Sequence, residues 1–149
     1  ISPSYPTVPF GSQKESFAWK SWFQRLQNYL QDGQYTPTLT NVTNVAASTA
    51  FQCQYLRIGE TVLVSGKVDI DPTLAAPTAT ELGISLPPNL ASKFAAEEDC
   101  AGTASCDAVA QENARILADA TNDRAIMKWQ ATDAANRSWS FIFSYQIIG

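Results

Sequence analysis

Histidine is absent from all 149 residues. Its absence removes the commonest general base and the commonest metal ligand, so no Ser–His–Asp or Cys–His arrangement can form within the chain. Catalysis by carboxylates alone remains open. Charge is scarce as well. Charged residues make up 16%, against about 25% in average globular chains, so Ser, Thr, Asn and Gln must cover much of the surface. The ten Lys and Arg are scattered and the net charge is −4. Nucleic-acid binders concentrate basic residues in a patch, so no nucleic-acid partner is expected. No apolar run approaches the ~20 residues of a spanning helix, so no membrane insertion is expected either. No secretory leader is visible, and the first residue is Ile1, as in a fragment or a processed chain. Three cysteines are too few, and wrongly spaced, for an ordinary zinc site. Cys100 and Cys106 could pair around a short Ala/Gly/Ser loop. The alternative is three small buried thiols. No cofactor and no metal are expected.

What the chain does have changes character along its length. Residues 1–11 carry Pro3, Pro6 and Pro9 at every third position, the period of polyproline II, so an extended arm is expected there. Ser12 and Glu15 form an S-x-x-E capping box. The run KESFAWKSWFQRLQNYLQ then predicts one amphipathic helix, within a segment spanning 12–33 and closed by Asp32-Gly33. Trp19, Trp22, Phe23, Leu26 and Leu30 recur at three–four spacing on one face. A helix about 27 Å long is marginal alone in water and needs cover. Either it packs on its own β-domain, or these five residues form an oligomerisation or attachment interface.

Residues 34–149 switch to a period of two. Val62, Val64, Val68 and Ile70 share one face of 61–71. Ala125, Met127, Trp129 and Ala131 share another, and Trp139, Phe141, Phe143 and Tyr145 a third. Gly59-Glu60 reads as a hairpin turn, and Asp133 to Asn136 as the turn before the last strand. Weaker strands are expected at 81–86 and 113–118, and loop with one short strand over 87–112. The expected class is mainly β: a jelly-roll-like antiparallel β-sandwich whose last strand is central.

The runs YTPTLTNVTNVAASTAFQCQYLRIGETVLVSGKVDIDPT, LGISLP and ATNDRAIMKWQATDAANRSWSFIFSYQII resemble a C-terminal head domain of tailed-phage tail-fibre and tail-spike structural proteins. The resemblance covers roughly residues 35–148 and lies in strand and turn residues. It implies a trimeric head similar in architecture to the C1q and tumour-necrosis-factor sandwiches. It further implies a homotrimeric, non-enzymatic virion component on a tail fibre or other exterior appendage, with a host-surface receptor, a glycan for preference. The N-terminal arm and helix lie outside the matching region and are expected to dock on other tail or capsid proteins. A structural capsid decoration, head fibre or assembly joint is the alternative role. A small glycan hydrolase would need a pair of carboxylates facing a groove.

If the strands run up and down, the loops near 41–50, 71–80, 105–112 and 132–137 gather at the end away from the arm. Asn41, Asn44, Asp71, Thr78, Asp133 and Asn136 are then the expected receptor contacts, because loops on a rigid scaffold carry recognition. Other candidates have plainer readings. Asp69 and Asp71 could begin a calcium site, but no further acid follows at suitable spacing. Asp119, Asn122 and Asp123 fit ordinary turn chemistry. Trp129 and Trp139 could stack on sugars, but their alternation assigns them to the core. Asn41-Val-Thr43 and Asn136-Arg-Ser138 match a glycosylation sequon, which in a phage protein is coincidence.

Overall fold

The period-two pattern folds into ten strands of one curled antiparallel sheet. The computed structural model describes residues 4, 13–74, 77–107 and 112–149, with helix side chains from Ala18 onward. The Pro-rich arm, apart from Ser4, and the Ser12–Glu15 capping box lie outside the described residues or side chains. Helix α1 (Gln13–Tyr29) runs directly into β1 (Leu30–Tyr35). There follow β2 (Leu39–Thr43), β3 (Val45–Ala50), β4 (Cys53–Ile58), β5 (Thr61–Pro72), β6 (Thr78–Ile84), β7 (Cys100–Cys106), β8 (Asn113–Asp119), β9 (Arg124–Ala131) and β10 (Arg137–Gln146).

The strand order is β1-β4-β5-β10-β7-β8-β9-β6-β2, with β3 also on β5. The long β5 pairs with β4 along its first half and with β3 along its second. Asn44 alone carries the chain from β2, at the far end of the path, to β3 beside β5. The sheet therefore curls back on itself and encloses one core. This is the mainly β, sandwich-like architecture that the alternation implied. The last strand, β10, lies between β5 and β7, as its aromatic face required.

The core is built from the inward rows. Val62, Val64, Val68 and Ile70 meet Ala125, Met127 and Ala131 together with Phe141, Phe143 and Tyr145. The rings of Trp129 and Trp139 pack at 5.0 Å between centroids, so both belong to the interior. Full burial of each such large side chain contributes about 1.5–3 kcal/mol. The segment between β6 and β7 wraps this core without forming strand. Leu90 and Phe94 enter it, and the Tyr145 hydroxyl donates to the Leu90 carbonyl at 2.6 Å.

Several expectations change. The helix ends at Tyr29, four residues before Gly33. Leu30 to Tyr35 instead pair residue by residue with Ile58 to Cys53 of β4. The Gly59 amide accepts the chain there by donating to the Tyr29 carbonyl at 2.8 Å. Gly33 is not a helix cap. It seats the Tyr55 ring, whose hydroxyl would lie 2.6 Å from any added Cβ. Leu30 thus belongs to the sheet. Residues 100–106 are not a loop but a strand between β10 and β8. Six residues of strand span about 20 Å, far beyond the ~7 Å limit for a disulfide. Cys53, Cys100 and Cys106 are all free and buried, and burial pushes the Cys100 thiol up to about 12. Residues 41–50, expected as loop, form β2 and β3 around Asn44.

Candidate functional site

The registers sort the connections into two ends. Leu30↔Ile58, Thr61↔Gln146 and Asp119↔Arg124 put the α1–β1 junction, the Gly59-Glu60 turn, the 120–123 turn and residues 147–149 at one end. Val45↔Pro72, Thr78↔Ala131, Arg137↔Ile70 and Ser105↔Asn113 put four connections at the other. These are the Asn44 corner and the segments 73–77, 107–112 and 132–136, here called the distal end. Residues 75–76 and 108–111 of these connections lie outside the described residues.

All six expected contact residues lie at or beside the distal end, in different roles. Asn44 sits at φ 55° and is a staple. Its Nδ2 donates to the Thr80 hydroxyl at 2.8 Å and to the Leu74 carbonyl at 3.2 Å, while its Oδ1 accepts from the Leu74 amide at 2.8 Å. Asp133 closes the β9–β10 turn. It accepts from the Ala135 amide and from Arg137 Nε, both at 2.8 Å. The backbone amide and the guanidinium together hold its carboxyl below the usual carboxylate range. Asn41 is exposed and accepts from the Ser48 hydroxyl at 2.6 Å. Asp71 is half-buried opposite Ala47, Thr78 opens β6 opposite Ala131, and Asn136 is exposed. Asn41 and Asn136 are the two most available to a ligand.

The other carboxylates resolve into structural pairs. Asp69 accepts from the Ser138 hydroxyl and lies 3.6 Å from Lys67. Asp119 is partly buried, which disfavours its charge, but bonds from Asn122 and Arg124 outweigh burial and lower its pKa. Asp123, at φ 51°, grips the β6–β7 segment through Lys93 and the Phe94 amide. Among the described residues, no group of three or more Cys, Asp or Glu is placed to hold a metal ion. No described helix is long and apolar enough to cross a membrane.

Sequence reasoning missed a groove next to the distal end. It spans the outer faces of β6, β9 and β8, holds about 790 Å³, and is lined by Glu81, Asn113, Arg115, Lys128, Gln130 and Thr132 among others. The register Glu81↔Lys128↔Arg115 aligns three charged side chains across it. Lys128 pairs with Glu81 at 3.5 Å and with Glu97 at 3.7 Å. The buried Glu112 also lines the groove, and its Oε1 accepts from the Thr132 amide at 2.9 Å. Two carboxylates therefore face one groove, each already bound to a neighbour.

The expected interface residues split between two elements. On α1, Trp19, Trp22 and Phe23 form one aromatic cluster, with Trp22 edge-on to both neighbours at 5.6 and 4.9 Å. Trp22 is buried, but it is no part of the sandwich core. Leu26 is half-buried and Phe23 exposed. The helix makes its main contacts with β1, the strand it continues into. Leu30 stands on that strand, more than half exposed. Comparison with known proteins finds no matching family model, no matching curated protein and no matching solved structure.

Proposed function

We propose that this chain is the head of a homotrimeric virion appendage, a tail-fibre or tail-spike tip. In this reading it binds a host-surface glycan at its distal end and catalyses nothing. One observation carries it: the separation of the two ends. The helix junction and the C-terminal residues share one end, while four connections start and finish at the other. A head carried on a shaft needs that layout, because attachment and recognition must not compete for the same surface. Trp19, Trp22, Phe23, Leu26 and Leu30 serve attachment or trimerisation. Glu81 and Glu112 act as structural acids, consistent with the bonds each already makes.

The test is a glycan array together with an adsorption assay on the full chain. Binding to a defined glycan and competition with virus adsorption are expected. A correctly oligomeric protein that neither binds glycans nor blocks adsorption would overturn the receptor reading.

A second reading has its own support. The aromatic helix and the exposed Leu30, Leu56, Ile58 and Leu63 on the outer face of β1, β4 and β5 suit a capsid decoration or assembly joint buried among virion proteins. Locating the chain in the virion, on a distal tip or in a joint, decides between the two.

A further inference from the structure

Seven of the ten basic residues lie on the sandwich. Six of these have an acidic partner: Arg57 with Glu60, Lys67 with Asp69, Lys93 with Asp123, Arg124 with Asp119, Lys128 with Glu81 and Glu97, and Arg137 with Asp133. Arg115 has none among the described residues. It stands exposed on β8, directly opposite Lys128 of β9, and lines the groove described above.

The other charged side chains of that groove already have partners. Lys128 pairs with Glu81 and Glu97, and Glu112 Oε1 accepts from the Thr132 amide. The group without an acidic partner among the described residues is one guanidinium flanked by two side-chain amides. Gln130 is exposed beside Lys128. Asn113 accepts from the Ser105 hydroxyl through its Oδ1, which leaves its amide nitrogen as a donor. The volume falls in the ~300–1,000 Å³ range of ligand sites. The shape, however, is an open, polar trough on a sheet. Its lining side chains are polar apart from Ala79 and the buried Trp129, which favours a hydroxyl-rich ligand over an apolar peptide anchor. The two acids and the net charge of −4 disfavour a phosphorylated or polyanionic ligand. A single carboxylate on a hydroxyl-rich scaffold fits each of these conditions.

We propose that this groove binds an acidic saccharide, with the sugar carboxylate on Arg115 and ring hydroxyls on Gln130 and Asn113. The guanidinium presents two parallel N–H donors that match a carboxylate, which an ammonium cannot do. The inference rests on the receptor reading above and names the class of glycan and its anchoring residue.

The test uses the full chain, with galacturonate and sialyllactose as acidic probes and galactose and lactose as their neutral counterparts, by titration calorimetry or saturation-transfer NMR. Arg115→Gln and Arg115→Lys are compared with the unaltered chain, with an unchanged thermal midpoint as the check on folding. At least one acidic probe is expected to bind, its neutral counterpart not. Arg115→Gln should weaken that binding at least tenfold, and Arg115→Lys should restore only part of it. Raising the salt concentration should also weaken it. Equal binding of the acidic probe by Arg115→Gln, or a preference for neutral glycans, would overturn this inference and leave the receptor reading intact. Failure to bind any glycan on a broad array would overturn both.

Discussion

Asn44 reverses the chain between β2, the last strand of the sheet path, and β3, which pairs with β5 off that path. Its positive φ of 55° is tolerated by Asn better than by most residues, because a short polar side chain can bond locally. The side chain ties down Leu74 and the fully buried Thr80. Asn44→Ala loses these bonds, worth about 1 kcal/mol each, and adds backbone strain of about 1–2 kcal/mol. We expect it to cost about 4–5 kcal/mol in denaturant unfolding. Asn44→Gly keeps the backbone freedom and should cost about 1–2 kcal/mol less. Equal losses in the two variants would show that the backbone conformation carries none of the cost. The turn aspartates give a second expectation. Asp119, Asp123 and Asp133 all have folded pKa values below the ordinary 3.8. On acidification the unfolded chain takes up these protons first. Their contribution is therefore complete above the unfolded value and is lost as pH falls through the folded ones. The thermal midpoint should hold from pH 7 to about 5 and decline below about 4. The protection factor of the Phe94 amide, which donates to Asp123, should fall in the same window once the intrinsic slowing of exchange in acid is divided out.

At the scale of elements, the boundary between α1 and β1 matters most. Cutting at Gly33, where the sequence suggested the helix closes, would remove most of β1 and expose the edge of β4. Cutting after Tyr29 removes the arm and the helix and keeps all ten strands. We expect residues 30–149 to fold with a cooperative melt, and residues 34–149 to melt lower or aggregate, because a newly opened edge strand invites pairing. Circular dichroism melts and sedimentation of the two fragments would check this. If they melt alike, β1 adds nothing to the sandwich. The same boundary explains what was legible beforehand. Strands β5, β9 and β10 announce themselves because each alternates large apolar with polar residues. Strands β1, β2, β3 and β7 read LQDGQY, LTNVT, VAASTA and CAGTASC. Small and polar side chains leave little periodicity, so these segments become strands through the partners that pair with them. The distal gathering of loops followed from up-and-down alternation alone. The groove did not, because Glu81, Arg115 and Lys128 stand on three strands and only the pairing register sets them in one row.

Across the whole molecule, the least expected surface is the outer face of β1, β4, β5 and β10. One row reads Leu30, Ile58, Thr61, Gln146. The next reads Asp32, Leu56, Leu63, Ser144, and the third Gln34, Gln54, Ser65, Ile142. Leu30, Leu56, Ile58, Leu63 and Ile142 are each 41–58% exposed. Asp32 is the only charge in these three rows. Monomeric proteins rarely leave such contiguous apolar area in water. The face carries almost no charge to repel a second copy, so the proposed trimer can use it as well as the helix. The two contributions are separable. Leu56 and Leu63 are direct cross-strand partners, so Leu56→Lys with Leu63→Glu places an ion pair where two leucines stood. Within one chain that pair is neutral or mildly favourable, and the sandwich should melt within about 1 kcal/mol of the original. In a desolvated interface the same two charges carry a penalty of several kcal/mol. We therefore expect the double variant to lower the mass seen in sedimentation from trimer to monomer at micromolar concentration. Trp22→Asp should weaken the assembly while leaving this face able to associate. A trimer that survives the sheet variant but not Trp22→Asp would place assembly on the helix alone. A mass that is monomeric before any substitution would remove the homotrimer from the proposal and leave this face to another virion protein.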